Sequence, residues 1–261
     1  MWCKKIHSLV AIAALSVGVM SSGVVMAEQM PANACPIDVH QELHLDGKNV
    51  KIIDKHGNAA EFQADNQLII KGKAVLLSSE QSQQLQDYRE QLNTVVPKAK
   101  EIAKSGVAVA NEVIDDLSAS FNNTKAFENV RSAVASYYDK LEKRYYQNGE
   151  MVLKPDAFKD VYQNWSKDFS QAKEVFNREF FASAFTVLQE KMKSDKGVDF
   201  SALQQQMAQL QVSVQNKLKQ NSKQVKKQAQ QYCDSMKALS KQEKGVVATI
   251  PELKNYQLFE I

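Results

Sequence analysis

The chain has 261 residues, with 33 Lys and Arg against 30 Asp and Glu, a formal charge of +3. That balance gives no electrostatic ground for a nucleic-acid partner. Nine glycines, scattered singly, and the absence of a Gly-x-Ser-x-Gly stretch exclude a phosphate-binding loop and a nucleophile elbow.

The N-terminus has the order of a secretory signal. Lys4 and Lys5 precede an apolar run from Leu9 to Met20, and Val25-Met26-Ala27 closes it with a small-x-Ala pattern. Residues 1–27 are therefore expected to be cleaved after Ala27, leaving 234 of 261 residues. Cleavage removes two lysines and no acid, so the charge falls from +3 to +1. No later stretch is apolar over a membrane-spanning length, so a soluble exported protein is expected. Cys3 leaves with the leader, and Cys35 and Cys233 remain. In an oxidising compartment two cysteines most simply pair, the alternative being a redox couple, which lacks a Cys-x-x-Cys spacing.

From Cys35 to Leu77 the pattern has period two. Ile37, Val39, Leu43 and Leu45 are followed by Val50 and Ile52, Ala60 and Phe62, Leu68 and Ile70, then Val75 and Leu77. Turn signals stand between them at Asp46-Gly47, His56-Gly57-Asn58, Asp65-Asn66 and Gly72, which predicts a meander of four or five short antiparallel strands. His40, Glu42 and His44 would share its polar face. On a strand the two histidines stand about 13 Å apart, too far for both to ligate one ion held at about 2 Å. A solvated strand face, not a metal site, is the reading.

From Ser78 the period becomes 3.6. Leu85, Tyr88 and Leu92 mark a first helix ending near Pro97, and Ile102, Val109, Val113, Leu117 and Phe121 a second. Phe127, Val130, Val134, Tyr138, Leu141 and Tyr145 mark a third, stopped at Asn148-Gly149. A fourth is predicted from Pro155 to about Ser194, dense in aromatics: Phe158, Trp165, Phe169, Phe176, Phe180, Phe181 and Phe185 among them. Core packing accounts for such a helix; the functional reading is a groove for an apolar ligand or an unfolded chain.

A fifth helix is predicted to open at Ser201, with Gln204 completing a capping box, and to run to about Gly245. Leu203, Met207, Val214, Leu218, Val225, Ala229, Tyr232, Met236 and Leu239 form one narrow apolar seam, with Cys233 at its margin. Around the helix, past Cys233 on the same side, cluster Lys219, Lys223, Lys226, Lys227, Lys237, Lys241 and Lys244, a lysine face. This is either a solvated face or a contact for anionic envelope lipid. Arginine is absent from the stretch, so bidentate phosphate recognition is disfavoured. Residues 246–261 would form a tail or an edge strand carrying Tyr256, Leu258 and Phe259.

The expected fold is α+β: a small N-terminal antiparallel meander at 28–77, then a mainly helical bundle of about five helices at 78–245. No catalytic residue, metal site or cofactor is assigned, because no nucleophile with a base is recognisable. The expected role is a non-enzymatic, chaperone-like or binding factor of the envelope, with envelope proteins or anionic lipid as partners. A hydrolase with an unrecognised site is the third reading.

The stretch "NQLIIKGKAVLLSSEQSQQLQDYREQLNTVVP" carries Gln81, Leu85, Asp87, Tyr88, Leu92 and Pro97 in a Gln-x-x-x-Leu-x-Asp-Tyr-x-x-x-Leu helix leading to a proline. It resembles the YggN-like family of exported proteobacterial proteins, a family of unknown function. The resemblance covers most of the chain beyond the leader in layout, with a second cysteine near the C-terminus. It implies a Gram-negative periplasm and carries over no site residues.

Overall fold

The computed structural model describes residues 35, 37–120, 127–157 and 200–260, with isolated positions at 174, 178, 179, 182, 183 and 186. Residues 32–261 form one compact unit. Its strands begin with β1 (Asp38–Val39), β2 (Glu42–Leu45), β3 (Val50–Ile53), β4 (Ala59–Phe62), β5 (Leu68–Ile70) and β6 (Lys73–Val75). Helices α1 (Ser79–Val95), α2 (Lys98–Ser120) and α3 (Glu128–Tyr145) follow, then β7 (Tyr146–Gln147) and β8 (Glu150–Leu153). The chain ends in α4 (Phe200–Thr249), a 3-10 helix over Pro251–Tyr256 and β9 (Phe259–Glu260).

The expected meander is present as β2 to β6, but the sheet is larger. Its order is β6-β5-β4-β3-β2-β8-β7, with every neighbouring pair antiparallel. The two added strands come from Asn148-Gly149, read in the sequence as a helix stop. Asn148 and Gly149 take φ of 53° and 86°, the left-handed pair that a two-residue hairpin turn needs. The helix ends at Tyr145, and β8 pairs with β2 in the register Leu43 to Leu153.

Alternation fixes which face is buried. Leu43, Leu45, Val50, Ile52, Ala60, Phe62 and Leu68 all point into the core. There they meet Leu85, Tyr88 and Leu92 of α1, and Met236, Leu239 and Val246 of α4. The rings of Phe62 and Tyr88 pack tilted, with centroids 6.2 Å apart. Helix α1 is started by a reciprocal cap, Ser78 Oγ accepting from Gln81 N and Gln81 Oε1 accepting from Ser78 N. Arg89, also on α1, is buried and donates to Lys48 O at 2.7 Å and Asn66 Oδ1 at 3.2 Å, tying the helix to the sheet's loops.

Among the described residues the helix count is four, not about five. The helices also do not stand apart as a bundle: α1 and α4 share one core with the sheet, and α2 packs on α4 and α3. The reason is that one side of the sheet is fully apolar and needs a helical cover. The fourth helix expected from Pro155 lies, beyond Ala157, almost wholly outside the described residues. Its expected start is not helical. Pro155 and Asp156 form a turn in which Asp156 has φ of 60° and its N–H donates to Val39 O at 2.7 Å.

Helix α4 spans 50 residues, about 75 Å at 1.5 Å per residue. It is already helical at Phe200, ahead of the serine expected to cap it, and continues through Gly245 to Thr249. Leu258 and Phe259 are buried, and β9 pairs with β1 rather than with the main sheet. No helix of the described residues is long and apolar enough to cross a membrane.

Candidate functional site

Helix α4 is anchored on one side and open on the other. Met236, Leu239, Glu243 and Val246 lie on its inner side and are buried. Cys233 sits at the edge of that side, only 2% exposed, and is bonded to Cys35 across a separation of 198 residues, with a Cα–Cα distance of 5.5 Å. At the preceding residue, Tyr232 Oη donates to Val96 O at 3.2 Å, which ties α4 to the junction of α1 and α2. Burial raises the Tyr232 phenol above its ordinary value, with the neighbouring Tyr146 adding to the rise. Tyr146 in turn lies under Lys100 Nζ, 4.2 Å from its ring centre, and Lys100 is ion-paired with Glu142.

Glu243 is the residue that sequence reasoning missed. In the sequence it is one of two acids, with Asp234, among the lysines of residues 217–244. In the fold it is 2% exposed and accepts three hydrogen bonds: Tyr88 Oη at 2.7 Å, Leu258 N at 2.6 Å and Phe259 N at 3.0 Å. Burial pushes its carboxyl up, and the three donors work against that rise. Burial also drives the Tyr88 phenol well up, and the facing carboxylate adds to the effect. The available signal was an acid at the spacing of the apolar seam: Met236, Leu239 and Glu243 follow one another at three and four residues.

The Asp-Tyr helix motif gains a physical meaning here. Leu85 and Leu92 are core residues, Tyr88 holds Glu243, and Gln81 Nε2 donates to Thr249 O at 2.6 Å. Asp87 lines a polar groove of about 550 Å³ between α1 and α4, together with Glu90, Lys98, Leu239 and Gln242.

The outer side of α4 carries the lysines. Lys223, Lys227, Lys237, Lys241 and Lys244 are exposed. At about 100° per residue the first four fall within roughly 40° of a single line, on the side opposite Met236 and Glu243. Asp234 lies in this stripe, 3.9 Å from Lys237. The side chains of Lys219 and Lys226 lie outside the described residues, as do all of Phe158, Trp165, Phe169, Phe176, Phe180, Phe181 and Phe185.

The polar face of the sheet forms a shallow concavity of about 570 Å³, lined by residues such as His44, Lys51, Glu61 and Glu150. His44 Nε2 stands 2.7 Å from Glu42 Oε1, while Nδ1 stands 3.4 Å from Glu150 Oε2. The two carboxylates thus take opposite sides of the ring and do not converge. His40 lies between β1 and β2, and its backbone N–H donates to Leu258 O at 2.8 Å. Among the described residues no group of three or more His, Cys, Asp or Glu side chains is placed to hold a metal ion.

No curated protein and no solved structure matches the chain. A family model described as "Protein of unknown function (DUF2884)" matches residues 35–259. That span begins at the cysteine bonded to α4 and ends at the β9 residue whose N–H is held by Glu243. With most of its length matched, the chain belongs to the DUF2884 family of proteins of unknown function.

Proposed function

We propose that this protein is an exported, non-enzymatic binding factor of the cell envelope, chaperone-like in that it presents surfaces rather than a reaction centre. The observation that carries the reading is the anchoring of α4. A disulfide, a buried carboxylate and a tyrosine hydrogen bond hold its inner side, while a lysine stripe faces solvent. A bridge between residues 198 positions apart fits a compartment that keeps thiols oxidised. The leader-like pattern of residues 1–27 and the resemblance to YggN-like exported proteins support the same location. The aromatic positions from Phe158 to Phe185 supply the apolar side of the reading.

The test is cell fractionation with N-terminal sequencing, followed by photo-crosslinking in the intact envelope. Probes are placed at Lys223, Lys227 and Lys241, and at Trp165 and Phe176. Recovery in the periplasmic fraction with Glu28 as first residue, and defined adducts from either set of probes, is the expected result. A cytoplasmic chain, or turnover in a broad substrate screen, overturns the reading.

A further inference from the structure

We infer that the outer face of α4 is a docking surface for anionic phospholipid headgroups; this rests on the envelope-binding reading and names the partner of one of its surfaces. The sequence alone sets eight lysines against Asp234 and Glu243 between residues 217 and 244. The fold changes that balance. Glu243 is turned inward and sealed beneath Tyr88, Leu258 and Phe259. On the exposed side, Asp234 alone remains against Lys223, Lys227, Lys237, Lys241 and Lys244. Five lysines to one acid on the exposed face is therefore a higher ratio than the eight to two of the stretch that encodes it.

Its shape favours a membrane over other polyanions. From Lys223 to Lys241 the stripe runs about 27 Å along the helix at 1.5 Å per residue. It stands on a convex helix surface rather than in a groove. Lysine ammonium groups act as point charges that attract phosphates without demanding a fixed geometry, and α4 contains no arginine to grip one phosphate bidentately. Asp87 and Glu90 of α1 bound the surface on the side of the groove. The charged strip is thus narrow, and α4 would lie along the membrane plane. Because the inner side is fixed by the disulfide and the Glu243 clamp, the lysines are presented on a rigid support.

Each lysine brought near an anionic bilayer strengthens binding roughly fivefold, so three reversals should lower vesicle partition by at least about a hundredfold. The experiment uses the purified chain with its disulfide intact, co-sedimented with phosphatidylcholine vesicles that contain or lack phosphatidylglycerol. Binding is expected only with phosphatidylglycerol, and is expected to fall as salt rises to about 0.5 M and the screening length shrinks below about 5 Å. K223E/K227E/K241E should abolish it. K55E/K73E/K154E, which makes the same charge change at exposed positions on the sheet and its loops, should retain it. If the first variant fails to fold, K223Q/K227Q/K241Q takes its place. No binding, binding indifferent to salt or equal on neutral vesicles, or equal loss in both charge variants overturns the inference. None of those results bears on envelope crosslinking, by which the binding-factor reading is judged separately.

Discussion

Tyr88 of α1 donates its phenol hydroxyl to the carboxylate of Glu243 on α4 at 2.7 Å, inside the core and 155 positions away along the chain. The same carboxylate holds the N–H groups of Leu258 and Phe259. One buried charge therefore joins the first helix, the last helix and the C-terminal strand. Breaking such a contact leaves a desolvated charge with fewer donors, which costs more than the net strength of the bond when made.

Tyr88→Phe keeps the ring against Phe62 and removes only the hydroxyl. We expect a loss of about 1.5–3 kcal/mol, the range for a hydrogen bond to a charged group, read as a lower urea midpoint at unchanged slope.

The titration of Glu243 has a defined sign. Its folded carboxyl is raised above the ordinary 4.5, so the native state keeps a proton that the unfolded chain has released. Its stabilising contribution is complete below 4.5 and is lost as pH rises through the higher folded value. Urea denaturation across this window, compared between the parent and Glu243→Gln, should show that part of the slope disappearing in the variant. Parallel pH profiles would refute it.

The disulfide spans 198 residues, and loop closure at that length is worth at most roughly 5 kcal/mol. Cys35→Ala leaves the buried Cys233 thiol in place as a small apolar group. It should lower stability by several kcal/mol within that bound. Adding reductant should bring the parent down to the variant and leave the variant unchanged.

Gly149 closes the β7–β8 hairpin at φ of 86°, and a Cβ added there would meet nothing within 4 Å. Gly149→Ala should therefore cost about 1–2 kcal/mol purely through the left-handed backbone. Gly106, in the middle of α2 and equally free of contacts, should gain about 0.5–1 kcal/mol as alanine. Opposite signs in the two thermal midpoints check the argument.

The sequence by itself determined the local elements and their inner faces. Period two from Ile37 to Leu77 and period 3.6 from Leu85 onward reflect backbone geometry that each segment satisfies alone. Asn148-Gly149 marked a chain reversal, but a helix stop and a hairpin turn share the same left-handed residues. Only the tertiary structure decided between them, because β8 gains its partner from β2, far earlier in the chain, and β7 then pairs with β8. The pairing of β1 with β9 and the burial of Glu243 are of the same kind. A carboxylate near lysines is solvated unless distant donors converge on it, and those donors, Tyr88 and the C-terminal amides, are assembled only when the whole chain has closed on α4.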